Sequence, residues 1–308
     1  MKNLLLLLLA LPLLVSCGSL SSETARDYQT FRIDQKSHMV QDGHLSYVDK
    51  GQGEAILLLH GVPSSGWLYR KMIDGLVAQG YRVIVPDMLG FGNSANPEGY
   101  EIYSPAAQAK RIVSLMDHLK IKKWNHVFHD VGGTWTWELM KEHEDRVDKL
   151  VKLNSITLRE GFHPPIRMKP GYLSKTAMWG YRNGVTTDLL LNRLFEEGLL
   201  DPDRLSKSER AGYKIPLLEG KTKAMYYFFT QTCNHSPDYS EVIKKVRTPM
   251  SVIWGKHDTM LQWLPQSEKI IETKLVSKND IHLIEAKHFI QEEQPELVNR
   301  LIVNFLRK

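Results

Sequence analysis

Apolar residues in this chain concentrate in short runs separated by longer stretches of helical spacing. Ile56–Leu59, Arg82–Val85, Trp124–Phe128, Val147–Leu153, Met250–Trp254 and Ile281–Glu285 are runs of the first kind. Runs of this length, closed by turn residues, read as strands, and Ile56–Leu59 as a buried one. Between them Trp67, Leu68, Met72, Ile73 and Leu76 recur at helical spacing, as do Trp135, Leu139 and Met140. Ala106–Leu119, a segment around Leu264, and Pro295–Leu306 predict further helices. Phe31–Ile33 and Leu45–Val48 look like an opening hairpin turned through Asp42-Gly43. Alternating strand and helix is the signature of an α/β fold with a mostly parallel sheet, here of eight strands flanked by helices. The alternation breaks from about 156 to 245, where strand candidates are missing and Pro, Tyr and Leu sit at helical spacing. That stretch predicts an inserted helical cap. The core is then 31–155 and 246–308, and the cap 156–245.

The N-terminus has its own pattern. Lys2 precedes an apolar segment, Leu4–Val15, that is too short to span a bilayer comfortably and suits a signal peptide. Leu14-Val15-Ser16-Cys17 resembles a bacterial lipobox. Residues 1–16 are expected to be a lipoprotein signal peptide, Cys17 the lipidated residue, and 17–30 a tether. Several acyl chains on Cys17 hold a protein on a membrane stably, at roughly 0.8 kcal/mol per buried CH₂. The expected location is the bacterial cell envelope. No acidic residue directly follows Cys17, and by resemblance to the enterobacterial sorting rule this favours the outer membrane.

Composition adds mainly exclusions. The net charge is +5 over 308 residues, with basic residues dispersed rather than striped. No nucleic-acid partner is expected. Lys149 and Lys152 on the sixth strand segment, and Lys120, Lys122 and Lys123 before the fifth, read as solvated charges. The two cysteines are Cys17 and Cys233, and lipidation of one leaves no intramolecular disulfide. Histidines are scattered without metal-site spacing, so no metal or cofactor is expected.

Candidate chemistry lies where strands end. Phe128-His129-Asp130-Val131-Gly132-Gly133 joins a strand to a helix through small residues, the pattern of a nucleophile elbow. Asp-X-Gly-Gly is also an ordinary turn sequence. At an elbow the usual residue is serine. Asp130 is instead an anion at neutral pH, able to attack a saturated carbon and leave an alkyl ester. His60-Gly61-Val62-Pro63 follows the Ile56–Leu59 strand, and its turn can supply an oxyanion amide from Val62 beside that of Val131. Asp258 follows one late strand and His288 the next, completing the order nucleophile, acid, histidine. Asp258 would orient His288, and His288 would activate water. His129 and His60 read as structural.

Together these motifs resemble the α/β-hydrolase fold, in the branch of epoxide hydrolases and haloalkane dehalogenases. Matching runs are His60–Pro63, Trp67–Met72, Pro86–Ser94, His129–Gly133 and His288–Glu293. Some members of the branch carry the acid after the sixth strand. Here that position is Asn154, which leaves Asp258. The resemblance implies a small apolar organic substrate and water as partners. It also implies epoxide hydrolysis, with a cap tyrosine pair, Tyr181 and Tyr226 or Tyr227, protonating the leaving oxygen. Dehalogenases of the branch hold halide with an indole after the nucleophile and an Asn in the His-Gly-X-Pro loop or a cap Trp. Val131 and Val62 occupy the first two positions and cannot donate from their side chains, while Trp179 is a cap indole. Dehalogenation is therefore the alternative. A third reading is a ligand-binding lipoprotein without catalysis, which has no need of all three of Asp130, Asp258 and His288.

Overall fold

The computed structural model describes residues 21–308 apart from 165, 236, 237 and 274. The expected signal peptide and Cys17 lie outside the described residues. Eight strands form one sheet: β1 (Lys36–Val40), β2 (Gly43–Lys50), β3 (Ala55–Leu59), β4 (Arg82–Pro86), β5 (Trp124–Asp130), β6 (Val147–Ser155), β7 (Met250–Gly255) and β8 (Ile281–Ile284). Their order is β1-β2-β4-β3-β5-β6-β7-β8. β1 and β2 form a hairpin, β2 runs antiparallel to β4, and the remaining pairs are parallel. β3 and β5 are buried at every position, β3 as its unbroken apolar run requires and β5 although it carries Asn125, His126, His129 and Asp130.

The helices in chain order are α1 (Ser22–Ile33), α2 (Arg70–Ala78), α3 (Pro105–His118), α4 (Gly132–His143), α5 (Tyr172–Gly180), α6 (Gly184–Gly198), α7 (Lys207–Leu218), α8 (Lys223–Tyr227), α9 (Ser240–Lys245), α10 (Trp263–Glu272), α11 (Ile290–Glu293) and α12 (Pro295–Leu306). The chain steps from β3 through α2 to β4 in one direction, and from β4 through α3 and α4 in the other. Right-handed crossovers then place α2 on one face and α3 and α4 on the opposite one. α2 packs with α12, and α3 with α4. Helices α5 to α9 fall between β6 and β7 and make up the cap.

Three expectations need correcting here. The tether over 17–30 does not extend through its second half. Ser21 caps α1 by accepting from the Thr24 amide, and Tyr28 is buried edge-on against Trp67. Residues 31–33 finish this helix, so the first hairpin strand is Lys36–Val40, turning through Gln41-Asp42. α1 has one fully buried apolar side chain, which leaves a weak periodic signal in the sequence. Lys152 is also not solvated. It is wholly buried on β6, with its Nζ 3.2 Å from Gln266 Oε1 and 4.9 Å from the centre of the Trp254 ring. Lys149 reaches the Leu306 carbonyl, whereas Lys120, Lys122 and Lys123 are exposed as expected.

Candidate active site

Asp130 ends β5 with φ +49°, a left-handed conformation uncommon for a residue with a side chain. The turn works only with small neighbours. A Cβ on Gly133 would meet the Ile156 carbonyl oxygen at 2.2 Å, and one on Gly61 would meet Asp130 itself at 2.4 Å. The Asp130 carboxylate is buried. Its Oδ2 accepts the Val62 amide at 2.8 Å, and the Val131 amide also favours its charged form. Burial pushes its pKa up, against the pull of His288 and these two amides.

His288 follows β8. Its Nδ1 is 2.8 Å from Asp258 Oδ2, and its Nε2 is 4.0 Å from Asp130 Oδ1. Burial opposes a charge on His288, but Asp258 and Asp130 outweigh it and hold its pKa above the ordinary value. Asp258 is fully occupied. Oδ1 accepts the amides of Met260 and Leu261, both at 2.9 Å, and Oδ2 also accepts Asn154 Nδ2 at 2.6 Å. Asn154 in turn accepts the Gly255 amide at 2.9 Å. Its own φ is +31°, which asparagine tolerates better than most residues.

His60 and His129 are fixed by neighbours. His60 Nε2 accepts the Met88 amide, which puts its proton on Nδ1, bonded to the Gly61 carbonyl. Burial lowers its pKa to about 4. His129 Nε2 bonds the His288 carbonyl at 3.1 Å, and the two rings lie 4.5 Å apart. The sequence gives no sign of that contact, because it depends on how the loop after β8 folds back over β5.

Asp130 and His288 open into a narrow pocket with about 50 Å³ of free room. The walls are apolar, from Val62 and Pro63 below to Leu190, Leu194, Met225 and Phe228 of the cap above. Apart from Asp130 and His288, the charged lining residues are Arg193 and Glu197, which pair with each other at 2.9 Å. Their spacing of four on a helix was visible in the sequence as an ion pair, but its place at the pocket was not.

The cap aromatics do not join this group. Trp179 is 64% exposed and lines an open groove on the cap with Tyr226. The Tyr226 hydroxyl accepts the Gly171 amide. Tyr181 is half-buried, and burial raises its pKa. Tyr227 lies against Tyr100 and lines a second, smaller cavity, which shares Val62 and Phe228 with the main pocket and includes Val131. Burial, then Glu101 and Tyr100, push its pKa up to about 12. None of the four lines the pocket onto which Asp130 opens. The sequence also left unnoticed a tie between cap and core. The Tyr213 hydroxyl of α7 bonds Glu292 Oε1 at 2.5 Å, and Glu292 also pairs with Arg70. No group of three or more His, Cys, Asp and Glu side chains suited to a metal occurs among the described residues.

A family model described as alpha/beta hydrolase fold matches residues 54–295. The chain belongs to the α/β-hydrolase family. It is 30% identical over 291 residues to a haloalkane dehalogenase of Mycolicibacterium paratuberculosis, covering 91% of this chain and 89% of the relative. It is 24% identical over 277 residues to epoxide hydrolase 3 of Xenopus tropicalis, covering 85% and 74%. Among solved structures, an epoxide hydrolase from Vigna radiata superposes with a TM-score of 0.71 at 21% identity, covering 89% and 97%. That last likeness speaks for the fold alone.

Proposed function

We propose that the protein hydrolyses small apolar electrophiles through an ester on Asp130, with epoxides as the preferred substrates. The observation that carries this reading is the split of the Asp130 carboxylate. Oδ2 sits on the Val62 amide, while Oδ1 faces His288 and the apolar pocket. Oδ1 attacks the substrate carbon, and Oδ2 becomes the ester carbonyl oxygen. The 4.0 Å from His288 Nε2 to Oδ1 is too long for a direct hydrogen bond, so His288 is near Asp130 without being tied to it and can bind a water beside the ester. His288, oriented by Asp258, takes a proton from that water as it adds to the ester carbon. The Val62 and Val131 amides hold the oxyanion until it collapses, breaking the ester C–O bond; the departing alkoxide takes the proton from His288, and Asp130 is again a carboxylate.

The choice of leaving group rests on the donors around the pocket. Among the described residues its lining has neither an indole N–H nor a side-chain amide for a halide, and no phenol for an alkoxide, so the nearest donor behind the lining decides. A phenol stays protonated at neutral pH and can protonate an alkoxide. Tyr227, beyond Val62 and Phe228, is our candidate. The runner-up is hydrolytic dehalogenation, favoured by the 30% identity to a haloalkane dehalogenase over nearly the whole chain. A binding protein without catalysis would not need Asp130, His288 and Asp258 held in one line.

We further propose that Cys17 is lipidated and anchors the protein in the bacterial cell envelope. No helix among the described residues is long and apolar enough to cross a membrane. The functional test is a panel of matched epoxides and haloalkanes, with diol and halide scored separately. Diol formation that drops about 10-fold or more in Tyr227→Phe supports the epoxide reading. Halide release without diol formation reverses the ranking.

A further inference from the structure

We propose that the outer face of cap helices α5 and α6 docks on an anionic lipid bilayer. α5 turns Ser174 and Met178 inward and leaves Tyr172, Leu173 and Trp179 in solvent. α6 turns Thr187, Leu191 and Phe195 inward and exposes Val185 and Leu189. A helix on the surface of a soluble protein normally shows polar residues at those outward positions. Eleven large apolar side chains are exposed among the described residues, and five of them fall within 172–189. Two of the five are Tyr and Trp, whose rings suit the boundary between headgroups and acyl chains.

Charge selects the partner. Residues 161–187 contain Arg167, Lys169, Lys175 and Arg182 and no Asp or Glu. Lys175, Trp179 and Arg182 line one open groove, whose acid, Glu98, is already paired with Lys223. Asp188, just beyond the segment, is paired with Lys214. Exposed apolar side chains among unopposed cations fit phospholipid headgroups of negative charge.

The position of the chain's N-terminus points the same way, and this part rests on the reading of Cys17 as the anchor. α1 starts at Ser22, five residues after Cys17, so the link spans at most about 18 Å. α1 packs on α7, and α7 lies beside α6 through Lys214–Asp188 and Arg210–Asn192. A short tether on that layer keeps the cap close to the bilayer. α6 carries Leu190 and Leu194 on the pocket wall, so an apolar substrate dissolved in lipid would lie one helix away from Asp130.

Trp179 provides its own probe. It is exposed, whereas Trp67, Trp124, Trp135, Trp137 and Trp254 are buried, and Trp263 is half-buried against Trp254. Residues 1–20 contain no Trp, so insertion of the N-terminus alone adds no signal. The full-length chain is reconstituted into phosphatidylethanolamine–phosphatidylglycerol vesicles whose acyl chains carry bromine. The expected result is quenched fluorescence, with most of the quenching lost in Trp179→Phe. It should also weaken in brominated phosphatidylcholine vesicles and in Lys175→Glu/Arg182→Glu. Equal quenching in wild type and Trp179→Phe, or quenching indifferent to headgroup charge, overturns the proposal. So does a lipid-free dimer in which Trp179 is shielded from a soluble quencher, which would give this face to a second copy.

Discussion

Asn154 donates its side-chain amide to the same Asp258 oxygen, Oδ2, that His288 Nδ1 contacts, at 2.6 and 2.8 Å. The residue in the alternative acid position thus serves the acid found after β7. With two backbone amides on Oδ1, Asp258 has every partner a carboxylate can use and is held in one orientation.

Asn154→Gly keeps the left-handed backbone and removes this bond. A hydrogen bond to a charged group typically contributes about 1.5–3 kcal/mol. Hydrolysis of the Asp130 ester should slow by roughly 10-fold or more, while its formation changes little. Stopped-flow single turnovers would separate the two phases, and equal slowing of both would disconnect Asn154 from His288.

The two phases should also part with pH. Ester hydrolysis needs neutral His288, whose pKa is held above 6.5 in the free protein. Ester formation needs ionised Asp130, whose pKa is raised from 3.8 by burial. Acidification through the His288 range stops hydrolysis, and the adduct accumulates wherever Asp130 is still ionised. Alkylation also removes the Asp130 charge, one of the influences that raise His288, so the hydrolytic limb should lie below the value in the free protein. Rapid quench at a series of pH values, read by intact mass, would measure both limbs. Two phases falling together would contradict the assignment.

The corners that bring Asp130, Asp258 and His288 together are legible in the sequence. Asp130 and Asp258 follow buried strands and His288 follows the edge strand β8, and an apolar run broken by Gly or a charged residue marks where such a strand stops. The sheet is legible for the same reason. The cap is less so, because helical spacing does not say which side of a helix meets the core. Tyr226 and Tyr227 are adjacent, and α8 runs straight into a π-helical turn at Phe228–Thr232 that shifts the register of everything after it. Trp179 lies on the helix expected to carry a functional aromatic, but on its outer side. Lys152 misleads for another reason. A lysine between Val151 and Leu153 looks solvated on a half-exposed strand, yet β6 sits between β5 and β7 with its residues from 150 to 155 all buried.

That lysine should leave a mark on stability. Burial lowers its pKa well below the ordinary value, so the unfolded chain binds a proton that the folded chain resists. Stability then rises with pH below the unfolded pKa of about 10.4, on the order of 1.4 kcal/mol per unit where the full proton is at stake. Lys152→Met should flatten this rise. Urea denaturation at a series of pH values from mildly acidic to alkaline would show it, and parallel profiles for the two proteins would refute it.

Cys17→Ala should change how the protein is held. With its acyl chains the wild type is expected in the membrane fraction and resistant to high salt. The variant, once its leader is cleaved, should wash off with salt, because only the cap's charges and apolar side chains would remain. A cleaved variant that resists salt would show that lipid on Cys17 is not the anchor.

The central claim is the ester on Asp130, and His288→Gln tests it most directly. Removing the base leaves the Asp130 anion free to attack, while hydrolysis loses a contribution of about 10² to 10⁴. Incubation with a substrate that the wild type turns over should add the mass of the alkyl group to the intact variant. Peptide digestion should place that mass on Asp130. Steady turnover by the variant, with no adduct on any carboxylate, would contradict the account.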